Sequence, residues 1–205
     1  EKMVYPILTV PKSASIDGAI DVFDKVNSRG TKLTDAELVL THLTGGWPQA
    51  RRVMKEKILK MKDVGFDFGL DFLTRCIVIT LTKSALYKKN AKLKYELYDS
   101  QDYQDAWAKV AKAMDYLIPI LQQDGLISST NDLSTNNSLV PIVGYLVEND
   151  NRFTGSIKYQ FLYWMFLANI WSRYSGQTDA RLDKDIYIIN NSENIISDLV
   201  QEIED

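Results

Sequence analysis

Apolar and polar residues follow a helical period along almost the whole chain, and depart from it first at the start. Met3 to Val10, "MVYPILTV", is rich in β-branched and apolar residues and closed by Pro11, so it reads as a short strand. Pro6 inside it cannot donate a ladder hydrogen bond, which suits a sheet edge. One strand cannot make a sheet, so its partners are expected upstream of Glu1, and the chain reads as a fragment of a longer protein. From there the spacing turns helical. Ile16 to Val26 sets Ala19, Ile20, Phe23 and Val26 on one face. Gly30 suits the left-handed residue that ends such a helix. Thr34-Asp35-Ala36-Glu37 is a capping box, with Leu33 and Leu38 placed for the accompanying hydrophobic staple. Gly45-Gly46 is expected to stop that helix, and Pro48 suits the first turn of the next.

The helix expected over Pro48 to Lys62 turns Ala50, Val53, Met54, Ile58 and Met61 inward and leaves Arg51, Arg52, Lys55, Lys60 and Lys62 outward. Phe68 to Leu81 is apolar nearly all round and predicts a central buried helix. Ser84 to Asp99 is mixed and basic, a loop with a short helix. Asp102 to Gln123 is amphipathic through Trp107, Val110, Met114, Leu117 and Leu121, with a bend expected at Pro119 and an end at Gly125. A polar loop, Ile127 to Asn137, leads to a short helix over Ser138 to Glu148 with Pro141 in its first turn. Tyr159 to Tyr174, "YQFLYWMFLANIWSRY", predicts an aromatic helix packed centrally, as core and not as a base-stacking platform. Helices over Thr178 to Ile189 and Ser192 to Ile203 complete the chain. This is one mainly α domain over 1–205: a strand and linker at 1–12, a first helical group at 13–125 and a second at 126–205.

Composition bounds the chemistry. The 205 residues are 45% hydrophobic and 25% charged, ordinary material for a folded core. A net charge of −3 argues against nucleic-acid or membrane binding by the whole surface, though not against a local basic face. Cys76 is the single cysteine, which excludes an internal disulfide and fits a reducing, cytoplasmic setting. No apolar run approaches a membrane span. There is no phosphate-cradling glycine loop of the Walker type. His42 is the only histidine and lacks evident partners for a metal centre or a triad, so it reads as a helix residue. Cys76, in an apolar run, reads as an inert thiol. Asp67 with Asp71, and Asp179 with Asp183, each share a helix face, a spacing that more often reflects solvated charges. The basic face of Arg51, Arg52, Lys55 and Lys60 is a weaker candidate for phosphate contact, and no catalytic or metal-binding residue emerges.

Between two capped helices lies Asn27-Ser28-Arg29-Gly30. Arg29 offers a planar fork to phosphate or carboxylate, and Asn27 can bond a backbone or ligand amide. The plainer alternative, which the residues alone favour, has Asn27 capping a helix and Arg29 paired with Asp24 or Asp35. The surrounding stretch, "AIDVFDKVNSRGTKLTDAELVLTHL", resembles the GmrS/GmrD family of modification-dependent restriction proteins, whose N-terminal region is known as domain of unknown function two-six-two. Val26, Asn27, Ser28, Gly30, Leu33, Thr34, Glu37 and Leu38 match the family pattern. The strand "VYPILTVP" also fits it. "WMFLANIWSRYSGQTDARLDKDI", Trp164 to Ile186, is similar to a family helix ending in Arg-Tyr-Ser-Gly.

The resemblance implies a bacterial phage-defence protein that cleaves modified DNA with NTP and Mg. It implies a ParB-like α/β half before this chain, of which the first strand would be a remnant, and an HNH-type nuclease domain or subunit as partner. The family's Asp-Gly-Gln-Gln-Arg signature is not in this sequence, where Asp17-Gly18 matches only its first two residues, and a single histidine cannot furnish the nuclease. The chain is therefore expected to be the helical second part, inactive alone and without its own cofactor. It would contact nucleotide or phosphate at Asn27, Ser28, Arg29 and Gly30, and present a second polar edge at Arg173, Tyr174 and Ser175. DNA is the other implied partner. A structural or protein-interaction module without nucleotide or DNA binding is the alternative reading.

Overall fold

A computed structural model describes residues 34–87 and 98–204 without a break, and residues 9–11, 13, 14, 18, 19 and 22 before them. The strand at 3–8, the Asn27–Gly30 corner, Leu33 of the expected staple and residues 88–97 lie outside the described residues. Gly18, Ala19 and Val22, within the first expected helix, are helical. Among the described residues the architecture is an irregular bundle of eight α-helices and no strand: α1 Asp35–Gly46, α2 Ala50–Lys62, α3 Leu70–Thr82, α4 Ser100–Gln123, α5 Val140–Glu148, α6 Ile157–Ile170, α7 Thr178–Asn191 and α8 Ile195–Glu204.

The capping box forms as the sequence dictates. Thr34 Oγ1 accepts from the Glu37 amide at 3.2 Å, and Glu37 Oε2 accepts from the Thr34 amide at 2.8 Å. α1 ends at Gly46, the second residue of its glycine pair. The Tyr103 ring packs where a side chain would stand: a Cβ at Gly46 would lie 2.6 Å from the ring. Pro48 precedes α2 in a turn. α4 starts at Ser100, before Asp102, because Asp99 is its cap. Asp99 accepts from the Gln101 and Asp102 amides, and Asp102 accepts from the Asp99 amide in return. α4 runs through Pro119 and ends at Gln123; beyond it Leu126, not Gly125, takes the left-handed conformation (φ 53°).

α3 is central, as its all-round apolar surface requires, packing on α1, α2, α4 and α5. α5 carries the core onward to α7, while α6 and α7 both pack on α8. One apolar core runs from Leu40 to Leu199 and so joins the 13–125 and 126–205 groups. The polar loop before α5 holds two short 3-10 turns, Thr130–Asp132 and Asn136–Leu139. It is tied to α6 by Asn169, whose side chain accepts from the Ser134 amide and donates to Ser138 Oγ, both at 2.9 Å.

α6 departs from expectation in two respects: it ends at Ile170, so that Trp171 to Tyr174 lie in a turn beyond it, and only one of its faces is covered. Phe161, Leu162, Trp164, Met165 and Ala168 are buried, but Tyr159, Tyr163, Phe166 and Ile170 form an exposed stripe on the opposite face. A helix can be aromatic all round and still have only one side covered.

Gly65 links this core to the loop. Its φ is +99°, and a Cβ would sit 2.4 Å from the Ser128 carbonyl oxygen. Gly65→Ala is expected to cost more than about 1 kcal/mol of unfolding free energy, through backbone strain and the clash, measured by urea denaturation.

Candidate functional site

The expected polar edge at Arg173, Tyr174 and Ser175 follows the end of α6, but only Ser175 is exposed. Arg173 and Tyr174 turn inward. Arg173 Nε and Nη2 donate to the two carboxylate oxygens of Asp185 on α7, at 2.9 and 2.5 Å, and Tyr174 Oη donates to the same carboxylate at 2.5 Å. Arg173 Nη1 donates to the Glu202 carbonyl on α8. The Glu202 carboxylate pairs with Lys184 at 2.6 Å. The Arg173 and Asp185 side chains are 4% and 0% exposed, so this is a buried ion pair fastening three helices. Burial pushes the Asp185 carboxyl above its usual range, and the Arg173 hydrogen bonds and charge pull against that rise. Nothing in the local pattern around Arg173 identifies Asp185, which lies twelve residues on in a different helix.

The paired carboxylates of the sequence are committed separately. Asp179 pairs with Arg75 at 2.8 Å, and that guanidinium lies over the Tyr87 ring. Asp183 accepts from Ser84 Oγ at 2.6 Å and from the Ala85 amide at 2.8 Å. Asp67 pairs with Lys62 at 2.6 Å. The Asp179 and Asp183 bonds hold α7 to α3 and to residues 84–85, and the Asp67 bond ties the end of α2 to the segment before α3. No group of three or more metal-ligating side chains occurs among the described residues. None of the described helices is long and apolar enough to cross a membrane. Cys76 is fully buried, and burial pushes its thiol pKa up, which makes it a poor nucleophile.

Arg51, Arg52, Lys55 and Lys60 are all exposed. Arg52 is paired with Glu56 at 2.6 Å, whereas Arg51, Lys55 and Lys60 form no ion pair among the described residues. Lys57, half-turned inward, pairs with Asp115 of α4.

A further surface feature among the described residues is the outer face of α6. Its stripe continues into Trp171, 69% exposed, just past the helix end. A groove of about 590 Å³ flanks the start of α6, where Tyr159 and Tyr163 face Glu193, Asn194 and Ile196 at the start of α8. A second, of about 450 Å³, flanks its end, lined by Trp171, Arg181, Lys184 and Glu202. The signal was present as Tyr159, Tyr163, Phe166 and Ile170, spaced four, three and four; periodicity alone does not say which of two apolar faces is covered.

No family model, curated protein or solved structure matches this chain.

Two outcomes are expected. Arg173→Ala leaves Asp185 buried and unpaired and is expected to cost about 3–5 kcal/mol in urea unfolding, whereas the joint replacement Arg173→Met with Asp185→Leu costs less. Burial pushes the His42 imidazole from its ordinary 6.5 down to about 4. The folded chain then takes up a proton there less readily than the unfolded chain. Stability falls as pH drops from 6.5 towards about 4, and His42→Gln flattens that part of the profile in pH-dependent melts.

Proposed function

We propose that this chain is a non-catalytic helical part of a GmrS/GmrD-like restriction protein, supporting or regulating NTP-dependent cleavage of modified DNA by contacting nucleic-acid phosphates. The observation that carries the reading is the outer face of α2, where Arg51, Lys55 and Lys60 are exposed and form no ion pair among the described residues, on a chain whose net charge is −3. Exposed cations of this kind can replace counterions on a phosphate backbone. The commitment of Asp179, Asp183 and Asp185 to internal bonds, and the burial of Cys76, also suit a part that does not carry the cleavage chemistry. The Trp164–Ile186 stretch that resembles the family owes its Arg-Tyr to the buried junction of α6, α7 and α8, a scaffold role compatible with this reading. The candidate nucleotide contact at Asn27 to Gly30 belongs to the same proposal.

A second reading, a protein-interaction module without nucleic-acid contact, is favoured by one observation: the exposed apolar face of α6. It fails if Ile170→Asp in the parent restriction protein leaves phage restriction unchanged.

Duplex DNA titrated against the chain in fluorescence anisotropy, between about 50 and 200 mM salt, tests the first reading. Affinity is expected to fall steeply with salt, and the triple variant Arg51→Ala, Lys55→Ala, Lys60→Ala is expected to flatten the log–log slope by about 2–3, close to one per lost phosphate contact. No binding at low salt, or an unchanged slope in the variant, removes DNA from the proposal.

A further inference from the structure

Five of the large apolar side chains that remain exposed among the described residues lie on or directly after one helix: Tyr159, Tyr163, Phe166, Ile170 and Trp171. The first four recur at the spacing of a helix–helix seam. Their side faces away from the core, whose contacts with α6 are made by Phe161, Leu162, Trp164, Met165 and Ala168. An apolar row of this kind, with polar residues at both ends, is the form of a contact surface.

Lys158 at the start of α6 is paired with Asp124, and Lys184 at its far end with Glu202, so the charges left over at the two ends are one of each sign. At the start of α6, Glu193 shares the groove with Tyr159 and Tyr163; it is exposed and forms no ion pair among the described residues. At the other end, Arg181 shares a groove with Trp171. Arg181 Nη1 donates to the Arg173 and Ser175 carbonyls, but the residue is exposed and likewise forms no ion pair among the described residues. The surface therefore bears its own complement. An antiparallel two-fold arrangement sets the Glu193 end of each protomer against the Arg181 end of the other, and any contact made at one end recurs at the other. A parallel arrangement sets like charges together at each end.

We propose that the outer face of α6 is a self-association surface, on which a second copy of this chain docks antiparallel with the apolar row in the seam and Glu193–Arg181 pairs closing both ends. This rests on the interaction reading of α6 and is independent of the phosphate reading of α2. The apolar row supplies the affinity, while exposed ion pairs add little and set the orientation. Fourteen residues of helix span only about 21 Å, and a stable interface covers about 800 Å² per partner, so the two grooves must share in the contact. The expected association is reversible, with a dissociation constant of micromolar order.

Sedimentation equilibrium of the 205-residue chain, over roughly 1–200 µM, tests this against the concentration scale of such affinities. A monomer–dimer equilibrium is expected. Ile170→Asp, at a position 74% exposed and so not needed for folding, is expected to weaken it at least about tenfold. Glu193→Lys and Arg181→Glu are each expected to weaken it, and together to restore it, with melting curves confirming that every variant folds. A monomer at all concentrations overturns the second-copy proposal while leaving α6 open to another partner; the restriction assay on Ile170→Asp decides that broader reading separately. A dimer indifferent to Ile170→Asp, or a charge exchange that fails to restore association, also overturns it.

Discussion

The Arg173–Asp185 pair is a charge pair taken almost wholly out of water, and the geometry of the second half of the chain depends on it. Stripping two ions of solvent is tolerable only when nearly every polar atom finds a partner. Asp185 accepts from Arg173 Nε, Arg173 Nη2 and Tyr174 Oη, while the remaining Arg173 nitrogen reaches the Glu202 carbonyl. These partners come from the end of α6, from α7 and from α8, so satisfying the pair fixes where three helices meet. The Arg181 bond to the Arg173 carbonyl then builds the cationic cleft directly onto the buried pair, beside Trp171. A buried requirement thus determines an exposed surface.

Polar bonds elsewhere act in the same manner at lower cost. Asp183 and Asp179 fasten α7 to the 84–85 turn and to Arg75 of α3, and Asn169 fastens the loop before α5 to α6. The apolar core supplies the drive to collapse, but it is indifferent to modest sliding of one helix along another. Directional bonds between elements distant in sequence set the register. The two exposed features of interest, the cations of α2 and the stripe of α6, sit on helices whose other faces belong to this one core.

Periodicity was sufficient to place α2, α3, α5 and α7 because each has one clearly more apolar side, or, in α3, is apolar nearly all round. The capping chemistry of Thr34 and Glu37 was readable because its partners are three residues apart. The boundaries that shifted did so for non-local or neglected local reasons. α4 begins early because Asp99, an acid in an uninformative stretch, is its cap, and α6 ends at Ile170, before the chain turns Arg173 and Tyr174 inward. Which face of α6 is covered was not readable, since both are apolar. The roles of Arg173 and Tyr174 were not readable either, because what decides between an exposed ligand contact and a buried fastener is the position of Asp185, and that is a property of the folded chain.

The single thiol has a practical consequence. Cys76 sits at the middle of α3 with no exposed surface and its ionisation suppressed by burial. Alkylating reagents and spin labels act on accessible thiolates, so the native side chain is silent towards them while the fold is intact. A cysteine introduced at any surface site would then be the sole point of labelling, which makes this chain suited to distance measurements by spectroscopy without first removing its own cysteine.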